Sequence, residues 1–240
     1  MIRGERGGDV EQVTLARPER RNALTPAMLD ELSAHIANVR DAHAVVVRGE
    51  GKVFCAGFDL DLCIGDEGDA NLTHLLRGLS RCIEAMRSLP CPVVMGVQGA
   101  AVAGGCALLG GGDIVIAHPD AKLGYPVTRL GISPAVSAPF MAVPLGQARR
   151  LMLDPGLISG VRAHELGLVH ELHDNPGNHA IELAESLAAK PPHALTATKR
   201  WLNELSPADA EHGLGVSVSL VGNDESRRLL ANALQKPAKK

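Results

Sequence analysis

The spacing of apolar residues changes period twice within the first fifty positions. From Val10 to Leu15 apolar side chains fall at alternate or near-alternate positions, the spacing of a strand. Met28, Leu29, Leu32, Ile36 and Val39 then share one face of a helix, with Thr25 placed to cap it and Pro26 at its first position. Ala44–Gly49 is a short apolar run and reads as a second strand. The stretch 65–69, rich in Gly and Asp, predicts a mobile loop, followed by a helix from about Leu72 to Met86. Further strands are predicted at Val93–Val97, Ile114–Ala117 and Leu168–Leu172.

Strands that alternate with helices imply an α/β fold built from strand and crossover units. No internal sequence repeat is visible. The character changes near Lys190–His193: segments 194–205, 208–220 and 224–234 read as helices with few strand formers. The expectation is therefore a core over residues 1–190 and a helical region over 191–240, whose basic end, 235–240, frays.

Composition narrows the possible functions. A chain of 240 residues with 45% apolar content can bury a substantial core. Its net charge of −3, with Lys and Arg scattered, offers no footprint for nucleic acid or an anionic membrane. The segment Cys91–Gly112 is uncharged and long enough to span a bilayer, but Pro92, Gln98 and several glycines interrupt it. It reads instead as a buried strand feeding a closely packed helix. Five cysteines form neither a CxxC pair nor a ligand spacing, and their odd count without a signal peptide fits a reducing cytoplasm. The histidines show no HxxxH or HxH spacing, so no metal site is expected.

Two glycine-containing segments carry the chemistry. In Phe54–Leu60 and Gly99–Cys106, glycine lets the backbone approach a ligand closely, and a glycine at a helix start leaves N–H donors and a positive dipole end facing it. Such donors suit a developing oxyanion. The plainer alternative is that Gly104 and Gly105 only permit tight helix packing and that Ala56–Gly57 is a tight turn.

Read in order, Arg17–Thr25, Gly51–Leu60, Gln98–Cys106, Gly112–Ala117, and Leu123–Pro126 with Leu130–Ile132 resemble the successive signatures of the crotonase, or enoyl-CoA hydratase/isomerase, superfamily. The resemblance implies a crotonase-like spiral of ββα units, a C-terminal helical region used in trimer contacts, and an acyl-CoA thioester as ligand with no other cofactor. It also implies that the Phe58 and Gly104 N–H groups hold the thioester oxygen. Arg20, Ala23, Ala56, Asp59 and Leu60 fall in its CoA region, and Arg20 or Arg21 could neutralise a phosphate. The family's assemblies imply a homotrimer or hexamer.

One departure stands out. Where resembling hydratases carry two glutamates, this chain has Ala107 and Val127, and a third acid location of the family is Ala135. Substitutes are sought among Tyr125, Thr128, Arg129, Ser133, Ser137, Asp59, Asp61 and His74, with Tyr125 nearest to a lost acid. A phenol with pKa near 10 is a poor base unless strongly perturbed. Three readings follow: an acyl-CoA enzyme of hydratase/isomerase type with altered catalytic groups, a noncatalytic acyl-CoA binder (a pseudoenzyme), and a scaffold that has kept only the fold.

Overall fold

Valine-rich strands buried on both faces organise the molecule. The computed structural model describes residues 1–141, 143–154, 156–205 and 209–235. Its first strand, β1 (Ile2–Gly7), pairs antiparallel with β2 (Val10–Leu15), Ile2 facing Leu15. The apolar pattern does not announce β1, because all of it beyond Ile2 is exposed. After α1 (Pro26–Ala37) comes β3 (Ala44–Gly49), then α2 (Gly68–Ser88) and β4 (Val93–Val97). Short pieces follow: β5 (Ala100–Val102), α3 (Gly104–Leu108), β6 (Ile114–Ala117), β7 (Lys122–Gly124), α4 (Leu145–Leu153), β8 (Ile158–Ser159), α5 (Gly160–Glu165) and β9 (Glu171–Leu172). Helices α6 (Pro176–Ala188), α7 (Pro192–Leu205), α8 (Ala210–Val218) and α9 (Asp224–Gln235) close the chain.

One sheet has the order β1-β2-β3-β4-β6-β9, parallel from β2 onward, and a second has β5-β7-β8. Isolated bridges Leu24↔Phe58 and Cys55↔Ala101 extend the second layer, so successive turns of chain place one segment in each layer. In β3, Val45 and Val47 enter the main core under α1 and α2, while Ala44 and Val46 face α6. Such two-sided burial explains why β3, β4 and β6 read as unbroken apolar runs. Helix α6 covers the far face with Ala180, Ala184, Leu187 and Ala188. It lies so close that a Cβ on Gly96 would stand 2.7 Å from the Pro176 carbonyl oxygen.

The Thr25 hydroxyl accepts from the Met28 N–H at 3.1 Å, and Met28, Leu29, Leu32 and Ile36 are fully buried, as the pattern predicts. Val39 instead lies beyond the helix end. Three further expectations need correction. Helix α2 begins at Gly68, inside the predicted 65–69 loop, where the Asp69 carboxylate meets Arg227 of α9. The predicted strand 168–172 shrinks to Glu171–Leu172, because the Leu168 and Val169 N–H groups both donate to Ala163 and continue the end of α5. Helix α8 starts at Ala210; Ala208 and the basic end, 236–240, lie outside the described residues. Lys199 fixes α7 to the core: buried, it bonds the Met86 and Cys91 carbonyls and the Asp113 carboxylate at 3.1, 2.9 and 2.8 Å.

Candidate active site

The two glycine-containing segments run side by side. The Cys55 N–H donates to Ala100, and the Val102 N–H donates back to Cys55, both at 3.0 Å. Ala56 turns its N–H the other way, to Arg21. Regular alternation would send the Phe58 N–H in the Ala56 direction too. Gly57, at φ +95°, breaks that alternation. Leu24 then bonds the Gly57 carbonyl (2.7 Å) and the Asp59 N–H (2.9 Å), leaving Phe58 to face the opposite side. A Cβ on Gly57 would stand 2.9 Å from the Val102 oxygen and 3.5 Å from the Gly104 nitrogen, and one on Gly104 would stand 2.9 Å from the Phe58 ring. Among the described residues, neither the Phe58 nor the Gly104 N–H donates to a backbone carbonyl.

Ala103 supplies the turn into α3 in a conformation foreign to alanine, φ +53° and ψ −116°. Strain of this kind costs about 1–3 kcal/mol and persists only where the surroundings impose it. Here the Ala103 N–H donates to Gly124 at 2.8 Å, and its carbonyl accepts from Ala107 at 2.9 Å. Gly105 is equally constrained, since a Cβ there would lie 2.4 Å from the Cys55 oxygen. Local sequence signals do not reveal the strain at Ala103.

Beside these donors is a cavity of about 20 Å³, the room of one water. It is lined by Phe58, Ala103 and Gly104, by Ala107 one helical turn on from Gly104, and by Tyr125, Val127, Ser133 and Ser137, with Leu76 and Leu79. Ala107 and Val127, the two positions where the resemblance leads one to expect acids, thus border the same small space. Ala135 does not: it lines a separate groove, and its carbonyl packs against Gly213.

The titratable substitutes are ill suited to moving a proton. Tyr125 is fully buried beside the Cys106 thiol and the Ser137 hydroxyl. Burial, then the neighbouring thiol, push its pKa well above 10, opposite to the direction a base requires. Burial also pushes the Cys106 thiol up to about 11. The Ser133 oxygen accepts from the Ala135 N–H, and the Ser137 hydroxyl donates to Pro134. Thr128 borders the groove of Ala135, its hydroxyl oxygen buried without a partner among the described residues. Arg129 is exposed, and His74 sits on the outer side of α2, 3.0 Å from Asp30.

The residues expected around CoA gather at the neighbouring edge. The Ala23 N–H donates to Arg20 and the Ala56 N–H to Arg21, placing Arg20, Ala23 and Ala56 about one turn of chain, while Leu60 opens the next helical turn, 60–63. Asp59 is buried and accepts from Arg17 (2.8 Å) and Arg20 (3.0 Å), while Arg20 also pairs with Asp61. Burial raises the Asp59 pKa, but the hydrogen bonds and charges of the two arginines outweigh it and hold the carboxyl below its ordinary range. Asp59 therefore fixes the turn that carries Phe58, and Arg20 is already engaged. Arg21 is exposed and, among the described residues, has no ion-pair partner.

Asn22 is a positioning residue that the sequence alone does not single out. Fully buried at φ +54°, it donates to the Glu50, Val53 and Phe54 carbonyls and accepts from the Arg17 N–H, tying the 17–24 loop to the 50–54 segment. Among the described residues no cluster of His, Cys, Asp and Glu could hold a metal, and no helix is long and apolar enough to cross a membrane.

Residues 5–222 match the family model described as enoyl-CoA hydratase/isomerase. The chain is 36% identical over 199 residues to a protein of Mycobacterium tuberculosis named as a probable enoyl-CoA hydratase, covering 79% of this chain and 76% of that one. It is 32% identical over 178 residues to another protein of that organism, a (7aS)-7a-methyl-1,5-dioxo-2,3,5,6,7,7a-hexahydro-1H-indene-carboxyl-CoA hydrolase, covering 73% and 72%. A crystal structure of an enoyl-CoA hydratase/isomerase from Mycobacterium paratuberculosis superposes with a TM-score of 0.86 at 27% identity, covering 96% of this chain and 97% of that one.

Proposed function

The chain belongs to the enoyl-CoA hydratase/isomerase family and has the crotonase fold, and from that premise we propose that it binds an acyl-CoA thioester with the carbonyl oxygen between the Phe58 and Gly104 N–H groups. One observation carries the reading: two residues whose amides have no internal acceptor line a cavity whose lining at 107 and 127 is apolar. A preorganised donor is worth about 3 kcal/mol to an enolate-like transition state. A positioned acid or base adds about 10²–10⁴-fold. With the first retained and both glutamates absent, polarisation of the carbonyl outlives ordinary hydration.

The chemistry that remains is enolate stabilisation on an acyl-CoA whose own structure supplies the reactive group. A relative 32% identical to this chain is named as a hydrolase, which supports a reaction other than hydration. The upward shift of Tyr125 favours a second reading, a noncatalytic acyl-CoA binder, because a phenol held neutral contributes a hydrogen bond and no base. In either reading Arg21, rather than the engaged Arg20, is the cation for a CoA phosphate. The exposed apolar residues Leu145, Leu153, Trp201 and Leu205 suit contacts between copies in a homotrimer or hexamer, and five buried free thiols suit a reducing cytoplasm.

Calorimetric titration with acetyl-, butyryl- and crotonyl-CoA, followed by turnover of the same esters, tests the proposal. Saturable binding with crotonyl-CoA hydration at least about 10³-fold below a two-glutamate hydratase is expected. Absence of saturable binding removes the ligand assignment, and rapid hydration removes the claim about proton transfer. Turnover of any of the esters argues against the binder reading.

A further inference from the structure

A second cavity, of about 250 Å³, lies behind the first. Ala107, Tyr125 and Ser137 line both spaces and so form the partition between them. At 107 that partition is a single methyl group, where a longer side chain would thicken it. The rear cavity is far larger than the front one, and unlike it contains charge.

Two of its polar groups are donors without an acceptor among the described residues. Arg87, in the last turn of α2, is half-buried, with its guanidinium carbon 6.0 Å from the centre of the Phe140 ring. Among the described residues it has no carboxylate partner; Asp113, the acid on the same wall, is held by Lys199 at 2.8 Å. His170 adds a second donor. The Val115 N–H points at its Nδ1 from 2.9 Å, so that nitrogen accepts and Nε2 carries the ring proton, free of any partner among the described residues. An unpaired guanidinium that lines the same cavity as an N–H donor suits an anion, and its planar fork suits a carboxylate.

We propose that the rear cavity receives the terminal carboxylate of an ω-carboxyacyl-CoA, a dicarboxylic acid esterified to CoA at one end, with Arg87 as its anchor and His170 as a second donor. The inference rests on the reading that the Phe58 and Gly104 amides hold the thioester carbonyl at the other end of the same acyl chain. The chain passes the partition at Ala107. Specificity then follows from the charged hydrogen bond that a carboxylate makes to the half-buried Arg87 and a methyl group does not.

Calorimetric titration of the full chain with glutaryl- and adipyl-CoA, against butyryl- and hexanoyl-CoA, tests this. The ω-carboxy esters are expected to bind about ten- to a hundredfold tighter, the range of one charged hydrogen-bonded pair. In Arg87→Gln the ratio should fall to near one, and in Arg87→Lys part of it should survive. Equal affinities in the parent protein, with butyryl-CoA still binding, overturn the inference and leave the carbonyl site standing. Failure of every ester to bind removes the carbonyl site itself. A ratio that persists in Arg87→Gln assigns the preference elsewhere, and free glutarate binding as tightly as the gain requires reveals a carboxylate site independent of the thioester; either result overturns the proposal.

Discussion

Two parts of the front cavity's lining are built by opposite means. One, from residues 55–58 and 101–105, is backbone: its geometry is set by a positive φ at Gly57, a strained Ala103 and a Gly105 with no room for a Cβ. The other, at Ala107, Tyr125 and Val127, is side chain, and every side chain there is apolar or held neutral. Backbone donors survive substitution of most side chains around them, whereas acid–base function resides in the side chains themselves. A fold can therefore keep carbonyl binding while proton transfer is lost.

The largest expected effect rebuilds the side-chain wall. Ala107→Glu combined with Val127→Glu should raise crotonyl-CoA hydration by about 100-fold or more over the parent, measured by loss of enoyl absorbance. No rise breaks the comparison, because it would mean that these positions do not face the reacting carbons. Next comes the backbone wall. Gly105→Ala forces a Cβ to within 2.4 Å of the Cys55 oxygen and should cost about 3 kcal/mol in urea denaturation and abolish saturable acyl-CoA binding.

Asp59 links the backbone wall to charge. Asp59→Ala leaves Arg17 facing a buried gap and should cost about 2 kcal/mol, less than a fully buried pair because Arg20 is exposed. The sign with pH follows from the lowered carboxyl. Its contribution is complete above the ordinary value near 4 and is lost as pH falls through the lower folded value. Asp59→Asn should flatten that acid limb in denaturation midpoints measured below about pH 5. The smallest effect is a gain: Ala103→Gly relieves the strained turn and should stabilise the fold by about 1 kcal/mol in the same assay.

What the sequence reveals follows the same division. Strands β2, β3, β4 and β6 have the boundaries their apolar runs predict, because burial on one or both faces writes itself into composition. The exposed β1 and the two- and three-residue strands β5, β7, β8 and β9 leave weak or no periodic trace. Phe58 and Gly104 are legible as motif positions, and the Cys55↔Ala101 bridge brings them together. Asn22 is not, since its four hydrogen bonds depend on a left-handed backbone that only tertiary contacts impose. Nor is the engagement of Arg20, nor a rear cavity assembled from positions as distant as 87, 113 and 170.

Infrared difference spectroscopy of butyryl-CoA labelled with ¹³C at the thioester carbonyl tests the carbonyl site most directly. On the proposed reading the Phe58 and Gly104 N–H groups polarise the bond, so the bound carbonyl band should shift to lower frequency than in water, and a bulky substitution at Gly104 should reverse the shift. A bound ester whose carbonyl band matches that of free butyryl-CoA would contradict the account.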